Sequence, residues 1–175
     1  MAVAAGLALV PGVALAGNPQ GAVVDMKVLA ALVNNSRSST LFGDMTKAVE
    51  GIYGSPDAIL KQRVKFASQT READKVISAN LAKVKAWKPQ STLGVHMRAY
   101  SLWIVGAEAH AVAGVAKALV GFEQRSSKEQ LKVLNPALDK FVAEVRALIK
   151  GNSSALSHAR TGIPTDEVAA ADTAA

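Results

Sequence analysis

The chain has 175 residues, of which 50% are hydrophobic and 19% are charged; it carries a net charge of +6 and contains no cysteine. This composition is too apolar for an intrinsically disordered chain, and the length is sufficient for one domain with a hydrophobic core. The absence of cysteine excludes disulfides, thiolate zinc sites, iron–sulfur clusters, cysteine nucleophiles and thioether-linked haem.

The amino-terminal segment has the pattern of an export signal. Residues 2–16 are apolar apart from two glycines and a proline, and they end in Ala14-Leu15-Ala16, a small-x-small pattern. An apolar run of about 7–15 residues before such a site is typical of a secretory signal, whereas a membrane span needs about 20. No Lys or Arg precedes the run, so the basic part of the signal is missing or truncated. We therefore expect residues 1–16 to be a signal peptide and the mature protein to be periplasmic or secreted, in a bacterium.

Helical signals dominate the next part of the chain, and the alternation typical of strands is absent. A first helix is predicted for residues 21–33 and a second for residues 40–53. Ser55-Pro56-Asp57 then combines a capping residue, a first-turn proline and an acidic first turn, so a third helix begins there. This helix meets no breaker before Pro89, and one of its faces is apolar. Thr70 and Asn80 are polar intrusions on that face.

A fourth helix is predicted from about Thr92 to Phe122 and is apolar on nearly every side. Between Ala99 and Ala116 the only charged side chain is Glu108. A helix of this kind lies in the middle of a fold or in a membrane. Its lone carboxylate must pair, titrate or reach water. A structural salt bridge is favoured over a catalytic role, with the basic residues of the third helix, Lys140 or Arg146 as partners.

The last helical stretch begins at Ser126, which has capping-box spacing to Glu129. Asn135-Pro136 is expected to interrupt this stretch and Gly151 to end it. Residues 163–175 are polar, acidic and rich in alanine, so we expect a disordered tail. Together these elements predict an all-α fold: an up-down antiparallel bundle of four to five helices, formed by residues 17–162, with the apolar fourth helix at its centre.

Positive charge is concentrated between residues 55 and 98, where nine basic residues stand against three acidic ones. This segment therefore accounts for the whole net charge. Four lysines lie on the side of the third helix opposite its apolar face: Lys61, Lys65, Lys75 and Lys83. They form either a solvated face or a surface that contacts polyanions, such as an anionic envelope surface or an acidic protein partner. Nucleic acid is not expected, because no aromatic residues are interleaved to stack on bases.

The most specific candidate site is a face of the fourth helix. It carries two imidazoles, a phenol and an indole: His96, Tyr100, Trp103 and His110. This face is either part of the core or the wall of a ligand pocket. If it is core, Trp103 is deeply buried, and large side chains from neighbouring helices, such as Phe66, Ile77 and Val84 of the third helix, cover Ala107 and Gly114.

The pocket interpretation includes haem as a candidate cofactor. His96 or His110 would be one axial ligand, and the second would be a methionine: Met26, Met45 or Met97. The two histidines are about 21 Å apart along a helix, so they cannot bind one metal ion together. No other metal-binding spacing is present, and no metal site is predicted.

No catalytic motif is found, so the sequence does not point to an enzyme. It favours an exported, non-enzymatic α-helical bundle that acts as an envelope-associated binding or interaction protein. One alternative is a bundle that binds a small molecule or haem on the His/Tyr/Trp face. A second alternative is a membrane-active protein that inserts the fourth helix, although each charged group in the apolar layer costs about 3 kcal/mol. We expect no stable transmembrane segment in the mature chain.

Overall fold

A computed structural model describes residues 17–34 and 37–174, and it contains no strand within these ranges. The helices are α1 (Pro19–Asn34), α2 (Ser38–Ile52), α3 (Pro56–Ala86), α4 (Thr92–Ala118), α5 (Ser127–Arg160) and α6 (Thr165–Ala174), with a 3-10 turn at Phe122–Gln124. The predicted all-α bundle with a long apolar fourth helix is confirmed, although the described residues form six helices rather than four to five. The segment predicted as a signal peptide lies outside the described residues.

Three helices begin with a serine cap, and two of these caps, Ser55 and Ser126, are predicted from the sequence. The side chains of Ser55, Ser91 and Ser126 each accept a backbone N–H in the first turn of α3, α4 and α5. At α5 the capping box is complete, because the Glu129 carboxylate accepts the backbone N–H of Ser126 at 3.0 Å and its hydroxyl at 2.7 Å. The hydrogen bond from the Ser126 side chain lowers the pKa of Glu129.

Replacing Ser126 by Ala is expected to lower the free energy of unfolding by about 1 kcal/mol, because the first turn of α5 loses its cap. The pKa of Glu129 should rise back toward its ordinary value in the same variant. Urea denaturation and carboxyl titration by NMR measure the two effects. Ser127→Ala, one position further on, is the control and should change neither.

Helix α5 is longer than the sequence predicts. Pro136 lies inside it without ending it, since α5 continues to Arg160. A proline removes one backbone hydrogen bond, but Leu134 and Leu138 on either side are buried in the core and hold this part of the helix in place. Gly151 is also not a cap. It lies within α5, where a β-carbon on it would be 3.1 Å from Cζ2 of Trp103.

The expectation of a disordered tail is wrong for residues 165–174, which form α6. This helix packs against α1 and α4. Their contact forms a small apolar cluster of buried residues: Ala22, Leu93 and Ala171. The tail is ordered by contacts with distant parts of the chain, and its composition alone does not reveal them.

Two buried carboxylates, Asp25 of α1 and Glu167 of α6, hold the amino-terminal end of α4. We call this pair the carboxylate clamp; each residue is 1% exposed. Asp25 accepts hydrogen bonds from Gln90 N, Ser91 N and Ser91 Oγ, and Glu167 from Asn18 N, Thr92 N and Leu93 N. Helix amino-termini have unpaired N–H groups and a partial positive charge, so carboxylates are favourable there. Gly94 is required beside the clamp, because a β-carbon would collide with the Asp25 carboxylate.

The main core lies among α2, α3, α4 and α5. Its largest fully buried hydrophobic side chains are Met45, Ile52, Ile59, Ile77, Phe122, Leu134, Leu138 and Phe141. Helix α4 takes the central position that the sequence predicts, because it contacts α1, α3, α5 and α6. It contributes Val105, Val112 and Val115 to the core, while Val95 on its other side is 53% exposed.

Candidate ligand-binding site

Two polar groups of the predicted His/Tyr/Trp face, the imidazole of His96 and the hydroxyl of Tyr100, contact α5. His96 Nδ1 lies 3.2 Å from the carbonyl oxygen of Ala159. The Tyr100 hydroxyl donates a hydrogen bond to Asn152 Oδ1 at 2.7 Å. These contacts join α4 to α5 at the amino-terminal part of this face.

Trp103 is not deeply buried, which corrects one expectation from the sequence. It remains 38% exposed, and its ring stacks on that of Tyr100 with a centroid distance of 6.2 Å. A β-carbon on Gly114 would meet open space, so no large side chain covers that position. The reason is that α4 buries a neighbouring face, the one that includes Val105, against the rest of the core. His110 is also exposed, and its Nε2 lies 3.3 Å from a carboxylate oxygen of Glu144.

A cavity of about 240 Å³ lies between α1, α2, α3 and α4 and is partly open to solvent. Ten of the described residues line it: Leu29, Ser38, Ser39, Asn80, Met97, Tyr100, Ser101, Ile104, Val105 and Glu108. Of the four predicted face residues, only Tyr100 is among them. The cavity is smaller than the roughly 300–1,000 Å³ of pockets for drug-sized molecules, so it suits a smaller ligand.

Glu108 is the only carboxylate among the described residues that line the cavity. It is 6% exposed, and its Oε2 atom has no hydrogen-bond partner in the described part of the chain. Burial raises the pKa of this carboxyl to about 7 from its ordinary value of 4.5. The expected salt bridge is not found among the described residues: Lys140 pairs instead with Glu144, at 3.6 Å, and the ion pairs there include neither Glu108 nor Arg146.

Asn80 of α3 brings a second acceptor to the same cavity. The residue is 5% exposed, and its Nδ2 donates to Ser38 Oγ at 2.8 Å. Its Oδ1 has no partner within the described ranges. The signal in the sequence was an amide on the apolar face of a helix, but only the packing of α2 and α4 against α3 shows that it meets Glu108 at one site.

The haem ligands considered from the sequence are placed apart from this cavity, with one exception. Met97 lines it, whereas neither His96 nor His110 does. Met45 is buried in the main core, and Met26 packs on the small cluster between α1, α4 and α6. In the described part of the chain, no group of three or more His, Asp or Glu residues is close enough to hold a metal ion. Haem binding stays a prediction from the sequence.

A second cavity, of about 250 Å³, lies where the end of α2 and the start of α3 meet α5. Its two ionisable side chains are already paired, because the Tyr53 hydroxyl donates to Asp139 Oδ1 at 2.8 Å. This hydrogen bond raises the pKa of Tyr53. None of the buried, unpartnered polar atoms of the described residues belongs to this cavity. It is therefore the weaker candidate for a ligand site.

The four lysines predicted to contact polyanions are all exposed on α3: Lys61, Lys65, Lys75 and Lys83. None of them takes part in the ion pairs found among residues 17–34 and 37–174. Contact with a polyanion stays a prediction for this surface.

One stretch of the described chain, Thr92–Gln124, is long and apolar enough to cross a membrane by length and composition alone. Core helices of soluble proteins pass the same test. A third of its most apolar window is buried inside the bundle. This observation by itself does not distinguish a core helix from one that inserts.

Comparison with known proteins adds no family to these observations. No protein-family model matches the chain, and no curated protein or solved structure matches it. The functional inference therefore rests on the cavity between α1, α2, α3 and α4 and on the residues that line it.

Proposed function

We propose that this protein is a non-enzymatic binding protein that holds a small molecule in the cavity beside Glu108. One observation carries the proposal: Glu108 and Asn80 line the same cavity, and each has a buried acceptor atom, Oε2 and Oδ1, without a partner among the described residues. A buried polar atom left unpaired costs about 1–3 kcal/mol. A ligand that donates to both atoms removes this cost, which gives it a source of affinity that a purely apolar molecule lacks.

The lining of the cavity favours binding over catalysis. A serine nucleophile requires an adjacent base that a third group orients. Ser38, Ser39 and Ser101 line the cavity, but none of the ten lining residues is a histidine or a lysine. The Ser101 hydroxyl donates to the carbonyl oxygen of Met97 at 2.8 Å, so it is held in a structural hydrogen bond.

The proposal also includes export to the cell envelope. Its support is the apolar segment of residues 2–16 with its Ala14-Leu15-Ala16 ending, which is the pattern of a secretory signal. A binding protein in the periplasm or outside the cell meets small molecules before they enter the cytoplasm. On this proposal the bundle captures such a molecule and acts as an envelope-associated binding protein.

A thermal-shift screen of small molecules against the purified protein tests the proposed function. Ser101→Leu fills the cavity, because Ser101 is 7% exposed and lies on its wall. Ala99→Leu is the control, since it adds a leucine at an exposed position of the same helix. A ligand at a hundred times its Kd should raise the Tm of the wild type and the control by about 5–10 °C.

The Ser101→Leu variant should show no such rise. A screen without any stabilising molecule would contradict the proposal. So would molecules that stabilise the Ser101→Leu variant as much as the control, because they would bind outside the cavity.

A further inference from the structure

We infer that the ligand of this cavity is a small organic cation, with a primary or secondary ammonium group on an apolar body. The inference rests on the proposed function, because it specifies the chemistry of the molecule that the cavity holds. It follows from the polar groups of the wall, from the size and apolar character of the remaining lining, and from the poor fit of other cations.

Three polar side chains of the wall use their donors in contacts with the protein, while two acceptors beside them stay open. The amide of Asn80 and the hydroxyls of Tyr100 and Ser101 each donate to an oxygen of the protein, at 2.7–2.8 Å. Glu108 Oε2 and Asn80 Oδ1 accept from no described residue. An ammonium group has up to three donors and no acceptor, so it satisfies both atoms and leaves no polar group of its own facing an apolar wall.

The charge of the lining residues also favours a cationic ligand. Glu108 is the only acidic residue among the described residues that line the cavity, and none of these is a lysine, an arginine or a histidine. A carboxylate that is 6% exposed pays a large desolvation cost when no cation is near. An ammonium ion beside it forms a charge-assisted hydrogen bond, which is roughly twice as strong as a neutral one. An anionic or zwitterionic molecule would instead place its own carboxylate next to these acceptor atoms, which would repel it.

The rest of the cavity selects a compact apolar body. Its wall includes the side chains of Leu29, Met97, Ile104 and Val105 and the ring of Tyr100. At roughly 30 Å³ for each water-sized group, the volume of about 240 Å³ corresponds to about eight such groups. A cyclic or branched amine with about seven heavy atoms has the right size.

A metal ion fits this site poorly. Calcium takes about six to eight oxygen ligands and magnesium needs near-octahedral oxygen coordination. The described residues of the wall supply one carboxylate and one amide oxygen that are open; the other eight are four apolar residues and four that carry a hydroxyl. The chemistry of the lining therefore favours an organic cation.

Isothermal titration calorimetry at pH 8 with three matched probes tests the inference: cyclohexylamine, cyclohexanol and cyclohexanecarboxylate. They share one ring and differ in charge. We expect cyclohexylamine to bind the full-length protein at least tenfold more tightly than cyclohexanol and the carboxylate not to bind. Ser101→Leu should abolish binding of the amine, because the leucine occupies the same space.

Glu108→Gln removes the charge and keeps the shape, so it separates charge from fit. Affinity for cyclohexylamine should fall at least tenfold in this variant, while affinity for cyclohexanol should change little. Glu50→Gln makes the same change at an exposed position of α2 and should leave all three affinities unchanged. Circular dichroism and thermal unfolding confirm that each variant is folded.

The outcomes separate the inference from the proposed function. If cyclohexanol binds as tightly as the amine, or if Glu108→Gln leaves their ratio unchanged, the cation inference is overturned and the proposed function stands. If none of the three probes binds but the thermal-shift screen yields cavity ligands without a cationic group, the cation inference is likewise overturned and the proposed function stands. If neither the probes nor the screen gives any ligand, both are overturned.

Discussion

Replacing Glu167 by Ala is expected to lower the free energy of unfolding by about 3 kcal/mol and to release α6 from α1 and α4. Glu167 is 1% exposed and accepts three backbone N–H groups, at 2.7, 2.8 and 3.3 Å. Each N–H left unpaired costs about 1–3 kcal/mol when it stays buried. Water reaches some of these N–H groups once the side chain is gone, so the expected loss of stability is smaller than the sum of the three separate costs. Two of the three belong to the first turn of α4, where the helix dipole also favours the carboxylate.

Urea denaturation measures this change, and hydrogen exchange of the Thr92 and Leu93 amides reports the loss of the cap directly. Asp172→Ala is the control, because Asp172 is exposed on the same helix. Equal destabilisation by the two variants would show that Glu167 acts through the helical propensity of α6. Unchanged exchange at Thr92 and Leu93 would show that the carboxylate does not hold the end of α4.

Stability should fall as the pH rises from about 4.5 to about 7, because Glu108 is buried. The folded protein keeps the Glu108 proton up to a pKa of about 7, whereas the unfolded chain releases it near 4.5. Between these values the folded state binds more protons, so each pH unit lowers the free energy of unfolding by up to about 1.4 kcal/mol. The contribution is fully present below pH 4.5. Above about pH 7 roughly 3 kcal/mol has been lost.

Chemical denaturation at a series of pH values from 4.5 to 8 measures this slope. Glu108→Gln should flatten it, because glutamine does not titrate, and should be the more stable protein at pH 8. Glu50→Gln should keep the slope of the wild type, since it removes an exposed carboxyl. If Glu108→Gln kept the slope of the wild type, the pH dependence of stability would come from titratable groups other than Glu108. A cationic ligand in the cavity should also reduce the loss of stability above pH 7.

The sequence predicts the helices best where the signals are local. Ser55-Pro56-Asp57 and the Ser126–Glu129 pair mark helix starts that the structure reproduces, because a cap needs only neighbouring backbone groups. The prediction is wrong at Pro136 and in residues 165–174, where distant residues decide the outcome. A core on both sides of the proline keeps α5 continuous, and the carboxylate clamp orders α6.

The candidate site could be predicted only in part. The apolar surroundings of Glu108 in the sequence correctly mark it as a carboxylate with an unusual environment, and Asn80 stands out on an apolar face. Helical periodicity places a residue on a face, but it does not say which neighbour covers that face. For this reason the sequence assigns the His/Tyr/Trp face to the core or to a pocket, whereas in the structure Trp103 lies at the edge between α4 and α5.

The carboxylate clamp also sets the order in which the chain can fold. Glu167 caps α4 from a position 75 residues beyond Thr92. At a synthesis rate of about 5–20 residues per second, these residues take about 4–15 seconds to emerge from the ribosome. The central helix therefore lacks the part of its amino-terminal cap that Glu167 supplies until α6 has been synthesised, and contacts so far apart in the chain form slowly.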